Sequence, residues 1–259
     1  MYKFRDLNIT NSIETKDKEL VIYIDDIPLS IEGLKVLNIE GRETRERQTD
    51  TVDTHNDGVV LLSSKIKERV ITVSLYLSVS LIEEYLKAFE DLNIALDKEK
   101  FKLSFSDDRD YYYNAVYINC DIKNKNSYNT ILDISFLIPD VYKYSVDKTI
   151  DILNNEITEA VYKVDILNLK ATLLSETDIL EIKNITTGKK IIIRDNLKTG
   201  DVIEIKKDTI LKNGVKDIRI LSFLESDFST FEIKRNNAIR IPNNKATLEL
   251  TYRGVKLWN

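Results

Sequence analysis

The sequence predicts a mainly β protein: an N-terminal β-rich domain with one α-helix and a protruding β-hairpin arm, then a C-terminal β-sandwich. Three observations carry this. Short apolar segments with period-two alternation recur along most of the 259 residues, at a spacing of about ten in the last hundred. Helical periodicity is confined to one stretch, 81–96. A charge-dense run from Gly41 to Gly58, with almost no apolar residue, separates segments that alternate like core strands.

Taken in order, YKFRDLNI (2–9) and LVIYIDDI (20–27) read as strands, the second apolar enough to be buried on both faces, with polar turn material at 11–18 between them. IEGLKVLNI (31–39) is a third strand ending at Gly41. The polar run then reads as a long hairpin with its tip at Asn56-Asp57-Gly58, because glycine accepts the positive φ of hairpin turns. Arg42, Arg45 and Arg47 are interleaved with Glu43 and Glu46, so both charge signs are available to pair with a neighbour. The arm, with Asp57 and Gly58 at its turn, is the candidate inter-subunit element.

Val70 to Leu77 puts Ile71, Val73, Leu75 and Leu77 on one face. Ser80 followed by Glu83 reads as a capping box, and Ile82, Tyr85, Leu86, Phe89, Leu92 and Leu96 form the apolar face of the helix it starts. Strands return at 101–105, 111–119 and 130–138, the last stopped by Pro139, with an acidic turn at Asp107-Asp108-Arg109-Asp110 and a tyrosine-bearing strand expected in the core. PDVYKYS (139–145) reads as a hinge, dividing the chain into domains 1–145 and 146–259. Beyond it TDILEIKN, KKIIIRD, GDVIEIKKD, VKDIRILSF, FSTFEIKR, NAIRIP and KATLELTYR read as sandwich strands. Turns are marked at Thr187-Gly188, Thr199-Gly200 and Asn213-Gly214.

Charge and composition narrow the function. Residues 1–145 carry 19 Lys plus Arg against 26 Asp plus Glu, and residues 146–259 carry 19 against 17. An acidic first part disfavours gripping nucleic acid, whose phosphates are held by clustered cations. No apolar run approaches the roughly 20 residues of a membrane helix, and the start of the chain lacks signal-peptide character, so synthesis in the cytoplasm is expected. The single cysteine, Cys120, is expected as a buried, inert thiol.

Catalytic signals are weak. The one histidine, His55, falls in the polar arm, and no nucleophile elbow or glycine-rich phosphate loop is present. Asp53-x-His55-x-Asp57-Gly58 echoes half of a calcium loop, but Ser64 stands where a bidentate glutamate is needed. Asp107, Asp108 and Asp110 could supply a glycosidase pair, although acidic clusters beside strands are ordinarily solvated turns. A sugar-binding sandwich would need an aromatic platform, and the one tryptophan, Trp258, reads as packing at the end of the last strand. No enzyme activity, metal or cofactor is expected.

The succession GRETRER, Asp57-Gly58, ERVITVSLYL, the 81–96 helix, FSDDRDYYYNAVY, ISFLIPDVYKYS, LEIKNITTGKKIIIRDNLKTGDVIEI and FEIKRNNAIRIPNNKATLELTYRGVKLW resembles the siphophage distal tail protein family. The resemblance covers nearly the whole chain. It implies a ring-forming N-terminal domain and a galectin-like C-terminal sandwich, assembled as a homohexamer that is the baseplate hub at the distal end of the virion tail. Implied partners are other copies of the chain, the tail tube protein, a tail tip or tail-associated lysin-like protein, and a receptor-binding protein. DNA would transit the channel without being held, and no membrane is involved. The alternative is a host-surface carbohydrate-binding protein that uses the C-terminal sandwich.

Overall fold

The computed structural model describes residues 20–43, 46–55, 57–126 and 128–257. The expected strand 2–9, the turn 11–18 and Trp258 lie outside the described residues. The run 20–27 is not one strand: β1 (Ile22–Ile24) turns at Asp25-Asp26 and returns as β2 (Ile27–Pro28). Both aspartates are left-handed, at φ 50° and 67°, the geometry of a two-residue type I′ turn. Two short polar residues override the apolar run around them.

Then follow β3 (Leu34–Glu40), β4 (Arg47–Asp53), β5 (Val59–Ile66) and β6 (Arg69–Ser78), helix α1 (Ile82–Leu96), β7 (Phe101–Phe105), β8 (Tyr111–Asn126) and β9 (Asn129–Ile138). Strand β6 is the centre of this part. Its alternation buries Ile71, Val73, Leu75 and Leu77 almost completely, and it pairs with β3 on one edge and β9 on the other. The long β8 pairs first with β7 and then, from Val116, with β9, so it passes from one sheet to the next. The order is β3-β6-β9-β8 and then β8-β7-β1-β2. Leu103, Phe105, Tyr113, Leu132, Ile134 and Phe136 fill the space enclosed.

Several local expectations need correction. A bulge between Val36 and Asn38 turns Leu37 out to solvent. Glu84, one residue later than expected, supplies the helix cap: its carboxylate accepts from the N–H groups of Ser80 and Leu81. The helix buries Tyr85, Ala88, Leu92 and Leu96, with Phe89 half-buried, whereas Ile82 and Leu86 are exposed. Cys120 is half-buried, since it lies on the outer half of β8 where only β9 flanks the strand.

The segment 139–145 turns at Pro139-Asp140 and ends in a short strand. Strand β10 (Lys143–Ser145) pairs with β8 and with the last strand, β19 (Ala246–Lys256). Between them come β11 (Lys148–Asp151), β12 (Lys163–Leu173), β13 (Thr177–Asn184), β14 (Lys190–Leu197), β15 (Val202–Lys206), β16 (Thr209–Lys212), β17 (Val215–Lys216) and β18 (Ile239–Arg240). One sheet runs β17-β16-β15-β12-β19, with β11 on the far edge of β19; the other is β14-β13-β18. A second apolar core lies between them, including Leu169, Ala171, Ile182, Ile193, Ile203, Leu248 and Leu250.

Asn213 and Gly214, both at positive φ, make the predicted β16–β17 turn, and Gly188 turns β13 into β14. Gly200 also has positive φ but connects strands of different sheets, so it closes no hairpin. VKDIRILSF yields only β17 and a 3-10 turn at Ile218–Ile220, and FSTFEIKR yields a 3-10 turn at Phe228–Thr230 without a strand. Residues 222–227 instead run beside the outer edge of β14. Ser222 N–H donates to Ile192 O, Ser226 Oγ accepts from Ile192 N–H, and Asp227 exchanges backbone and carboxylate bonds with Lys190. These bonds satisfy the edge without a regular ladder.

Candidate functional site

The predicted hairpin is present. Strands β4 and β5 pair only with each other and form a sheet of their own. Thr54 closes the tip, its N–H and hydroxyl both donating to Gly58 O. Every residue of β4 and all but Ile66 of β5 are exposed. A lone two-stranded ribbon is marginal in water. This one also displays Val52, Val59, Val60, Leu61 and Leu62 at 52–63% exposure. A bulge between Asp50 and Thr51 leaves Leu62 unpaired, and the unbroken run Val59 to Leu62 puts apolar side chains on both faces near the tip.

The charged residues predicted for the inter-subunit arm lie at its root, its base and its tip. Arg42 sits at the root and forks onto Asp107 of its own chain, at 3.1 and 3.0 Å, with its guanidinium 4.6 Å above the Phe105 ring. Glu46 pairs with Lys67 across the base of the ribbon at 3.3 Å, and Arg47 donates to Ser64 Oγ at 3.2 Å. Glu43, Asp57 and Gly58 are exposed, the last two at the tip; Arg45 and Asn56 lie outside the described residues. The exposed apolar run Val59–Leu62 was legible as four consecutive apolar residues, but it lacks the alternation that marks a one-sided strand.

The root is tightly specified. Gly41 has φ 88°, and a Cβ there would lie 2.1 Å from Val70 O, so only glycine lets β3 and β6 approach this closely. Arg69, 7% exposed, donates to Arg42 O at 3.2 Å and to Leu257 O at 3.4 Å while lying over the Tyr113 ring. Lys143 of β10 is paired with Asp108. Burial pushes its ammonium below the ordinary lysine range, against the pull of Asp108. Adjacent carboxylates thus hold different parts: Asp107 the arm, Asp108 the strand leading into the second half.

That arrangement gives the acidic turn a structural part. Asp107 and Asp108 are both engaged by cations, and Arg109 lies 3.6 Å over the Tyr23 ring. His55 is exposed at the hairpin tip. Asp53 ends β4, and Ser64 lies in β5, facing Thr49 across the ribbon. Among the described residues no group of three His, Cys, Asp or Glu could hold a metal, and no helix is long and apolar enough to cross a membrane. A half-open hollow of about 300 Å³, lined by Leu20, Tyr23, Leu29, Ile31 and Leu34 among others, contains Lys35 as its one charged residue.

At the junction of the two halves the tyrosines are paired. Tyr144 stacks on Tyr112 at 5.7 Å and Tyr142 on Tyr162 at 6.1 Å, so these rings spend a face on each other. The Cys120 thiol is pushed up by burial, then by Asp121 and Asp133, which keeps it protonated and slow to react.

Residues 33–138 match the family described as phage tail protein RIFT-related domain, and residues 166–255 match the siphovirus-type tail component, C-terminal domain. The two matches follow one another and together take in most of the chain. It belongs to the siphophage distal tail protein family. Its role is therefore structural, at the distal, baseplate end of a phage tail. The fold agrees with that of the Dit (gp 19.1) protein of phage SPP1, described as a paradigm of the hub adsorption apparatus in phages infecting Gram-positive hosts. That structure is matched with a TM-score of 0.73 at 14% identity over 92% of this chain and 99% of the other. A chain of the phage P2 baseplate in its activated conformation with Ca is matched with a TM-score of 0.46 at 11% identity, over 90% of this chain and 97% of that one. No curated protein matches the chain by sequence.

Proposed function

We propose that this protein is a non-enzymatic hub that closes head to tail into a homohexameric ring, joins the tail tube to the tip and receptor-binding apparatus, and lets DNA pass through its centre. The β4–β5 hairpin carries the proposal: a ribbon with apolar residues on both faces and no core of its own needs a surface outside its chain. Heterologous closure needs two different surfaces on each copy. The sheet β3-β6-β9-β8 supports this, because its ends differ. Among the described residues, β3 has a free edge at one end and the outer half of β8 has one at the other.

The solvent face of the same sheet suits a channel. It presents Asn38, Glu40, Thr72, Ser74, Asn119, Asp121 and Ser135, together with Asp133, which binds Lys123. The lysines on this face are Lys35, exposed opposite Tyr76, and Lys123, whose charge Asp133 already matches, so phosphates find no cluster of cations to hold them. The division into a ring-forming part, 1–145, and an outer sandwich, 146–259, is part of the proposal. So are the tube, tip, lysin-like and receptor-binding partners.

Native mass spectrometry with negative-stain imaging tests it. Six-fold particles are expected from the intact chain and none from a variant with residues 47–66 replaced by a short glycine-serine link. Normal rings without the hairpin would overturn the role given to the arm.

A further inference from the structure

The sheets of the second half end unequally. Strand β11 gives one sheet an edge of four residues and β17 an edge of two, and β18 ends the other sheet with two. Strand β14, at the opposite end from β18, offers eight, and it opens with Lys190-Ile191-Ile192-Ile193. β-Branched residues favour pairing, and a long uncovered edge is a template for another strand. An antiparallel edge is also complementary to itself about a two-fold axis, so a second copy of the same chain is its nearest match.

That edge is covered from within. Lys190 and Ile192 direct their backbone groups away from β13, and residues 222–227 take them up. Ser222 N–H donates to Ile192 O at 2.9 Å, and Asp227 N–H donates to Lys190 O at 2.8 Å. The return bonds end on side chains: Ser226 Oγ accepts from Ile192 N–H at 2.9 Å, and the Asp227 carboxylate accepts from Lys190 N–H at 3.0 Å. In a sheet those two acceptors would be carbonyls of a neighbouring strand. From the same edge Arg194 forks onto Glu225 at 2.7 and 2.9 Å, and Glu225 accepts from Ser222 Oγ at 2.6 Å. Residues 223–225 form a turn, closed by Glu225 N–H donating to Ser222 O at 3.2 Å. The far side of the segment is therefore not extended, and it presents no ladder on which a further strand could grow.

We propose that residues 222–227 are a guard strap: they occupy the outward bonds of β14 and keep that edge from pairing with β14 of a second copy. Glu225, Ser226 and Asp227 are its clasps, because each binds the edge through its side chain. The contact that the strap prevents is two-fold and lies in the second half of the chain, so it is separate from the head-to-tail contact of the ring reading and does not rest on it.

The test uses the full chain carrying Glu225→Ala, Ser226→Ala and Asp227→Ala together. In dilute solution hydrogen exchange in a peptide spanning residues 188–196 should quicken about tenfold, the factor given by the loss of roughly one net hydrogen bond, while peptides from β12 and β19 keep their protection. As the concentration rises, the same peptide should regain protection, and sedimentation velocity should show a species of double the wild-type particle's mass. The wild-type chain should show neither change over that range. Should the triple variant lose protection in β12 and β19, Asp227→Ala alone is expected to give the same two changes at higher concentration. A variant whose 188–196 peptide opens but whose mass matches wild type at every concentration overturns the guard. So does a folded variant whose peptide exchanges as in wild type, since the clasps then hold nothing.

Discussion

Replacing Gly41 by alanine separates steric demand at the arm root from the general preference of turns for glycine. At φ 88° an L-residue costs about 1–2 kcal/mol for its backbone conformation alone. The new methyl would also lie 2.1 Å from Val70 O, and the nearby atoms are backbone, so the β3–β6 pairing must shift. Overpacking of this kind adds about 1–3 kcal/mol. With about 2–4 °C per kcal/mol for a chain of this size, the main thermal transition should fall by roughly 4–20 °C. Gly58→Ala is the matched control. It has φ 97° but nothing within 4 Å of its would-be Cβ, and it sits at the tip of a ribbon that forms its own sheet. The main transition should be unmoved by it. Differential scanning calorimetry of the two variants decides: a Gly58→Ala loss as large as that of Gly41→Ala, or a silent Gly41→Ala, would refute the steric account.

Four further outcomes are expected. Leu75→Ala, in a fully buried position of β6, should cost about 2–5 kcal/mol by urea unfolding, whereas Leu86→Ala should stay within about 0.5 kcal/mol. Arg42→Lys keeps the charge but loses the fork onto Asp107, so amide exchange in a peptide spanning residues 40–50 should quicken while peptides from β13 and β14 do not change. The hydrogen bond from Arg194, and then that from Ser222, hold Glu225 down at about 2, below its ordinary value near 4.5. The unfolded chain therefore binds the extra proton first: this contribution is complete above pH 4.5 and is lost as pH falls toward 2, so Glu225→Gln should flatten the acid limb of a melting-temperature profile. Cys120, with its thiol raised, should alkylate slowly at pH 8 and faster as pH rises past 9, and a rate equal to that of free cysteine at pH 8 would contradict its half-buried placement.

Most of the fold was legible where local pattern and tertiary environment agree. Ile71, Val73, Leu75 and Leu77 alternate because one face of β6 is core, and Asn213-Gly214 turns because both residues accept positive φ. Failures fall where a different partner satisfied the same residues. VKDIRILSF alternates like a strand, yet Ile220 and Leu221 plug the second core from a 3-10 turn. Phe228 and Phe231 do the same from their own short turn and side. At the candidate site the hairpin and its tip were readable from the polar run and the Asp57-Gly58 turn. Its side-chain partners were not: Arg42 forks onto Asp107 and Glu46 pairs with Lys67, contacts set by distant or cross-strand residues, and the exposure of Val59 to Leu62 follows from a ribbon that no core covers. Sequence periodicity reports burial within one chain and is silent about surfaces reserved for another.

The bond from Arg69 to Leu257 O joins residues 188 positions apart. It has a consequence in time. A nascent chain exposes the hairpin early, but its root is completed only when the last strand docks, and contacts of such long separation form late in folding. Until then Arg69 lacks one of the carbonyls that fix it beneath Arg42, and the arm has a looser base. A chain interrupted before β19 would carry the arm without its full anchorage, so the lock at the root doubles as a check that the rest of the molecule is in place.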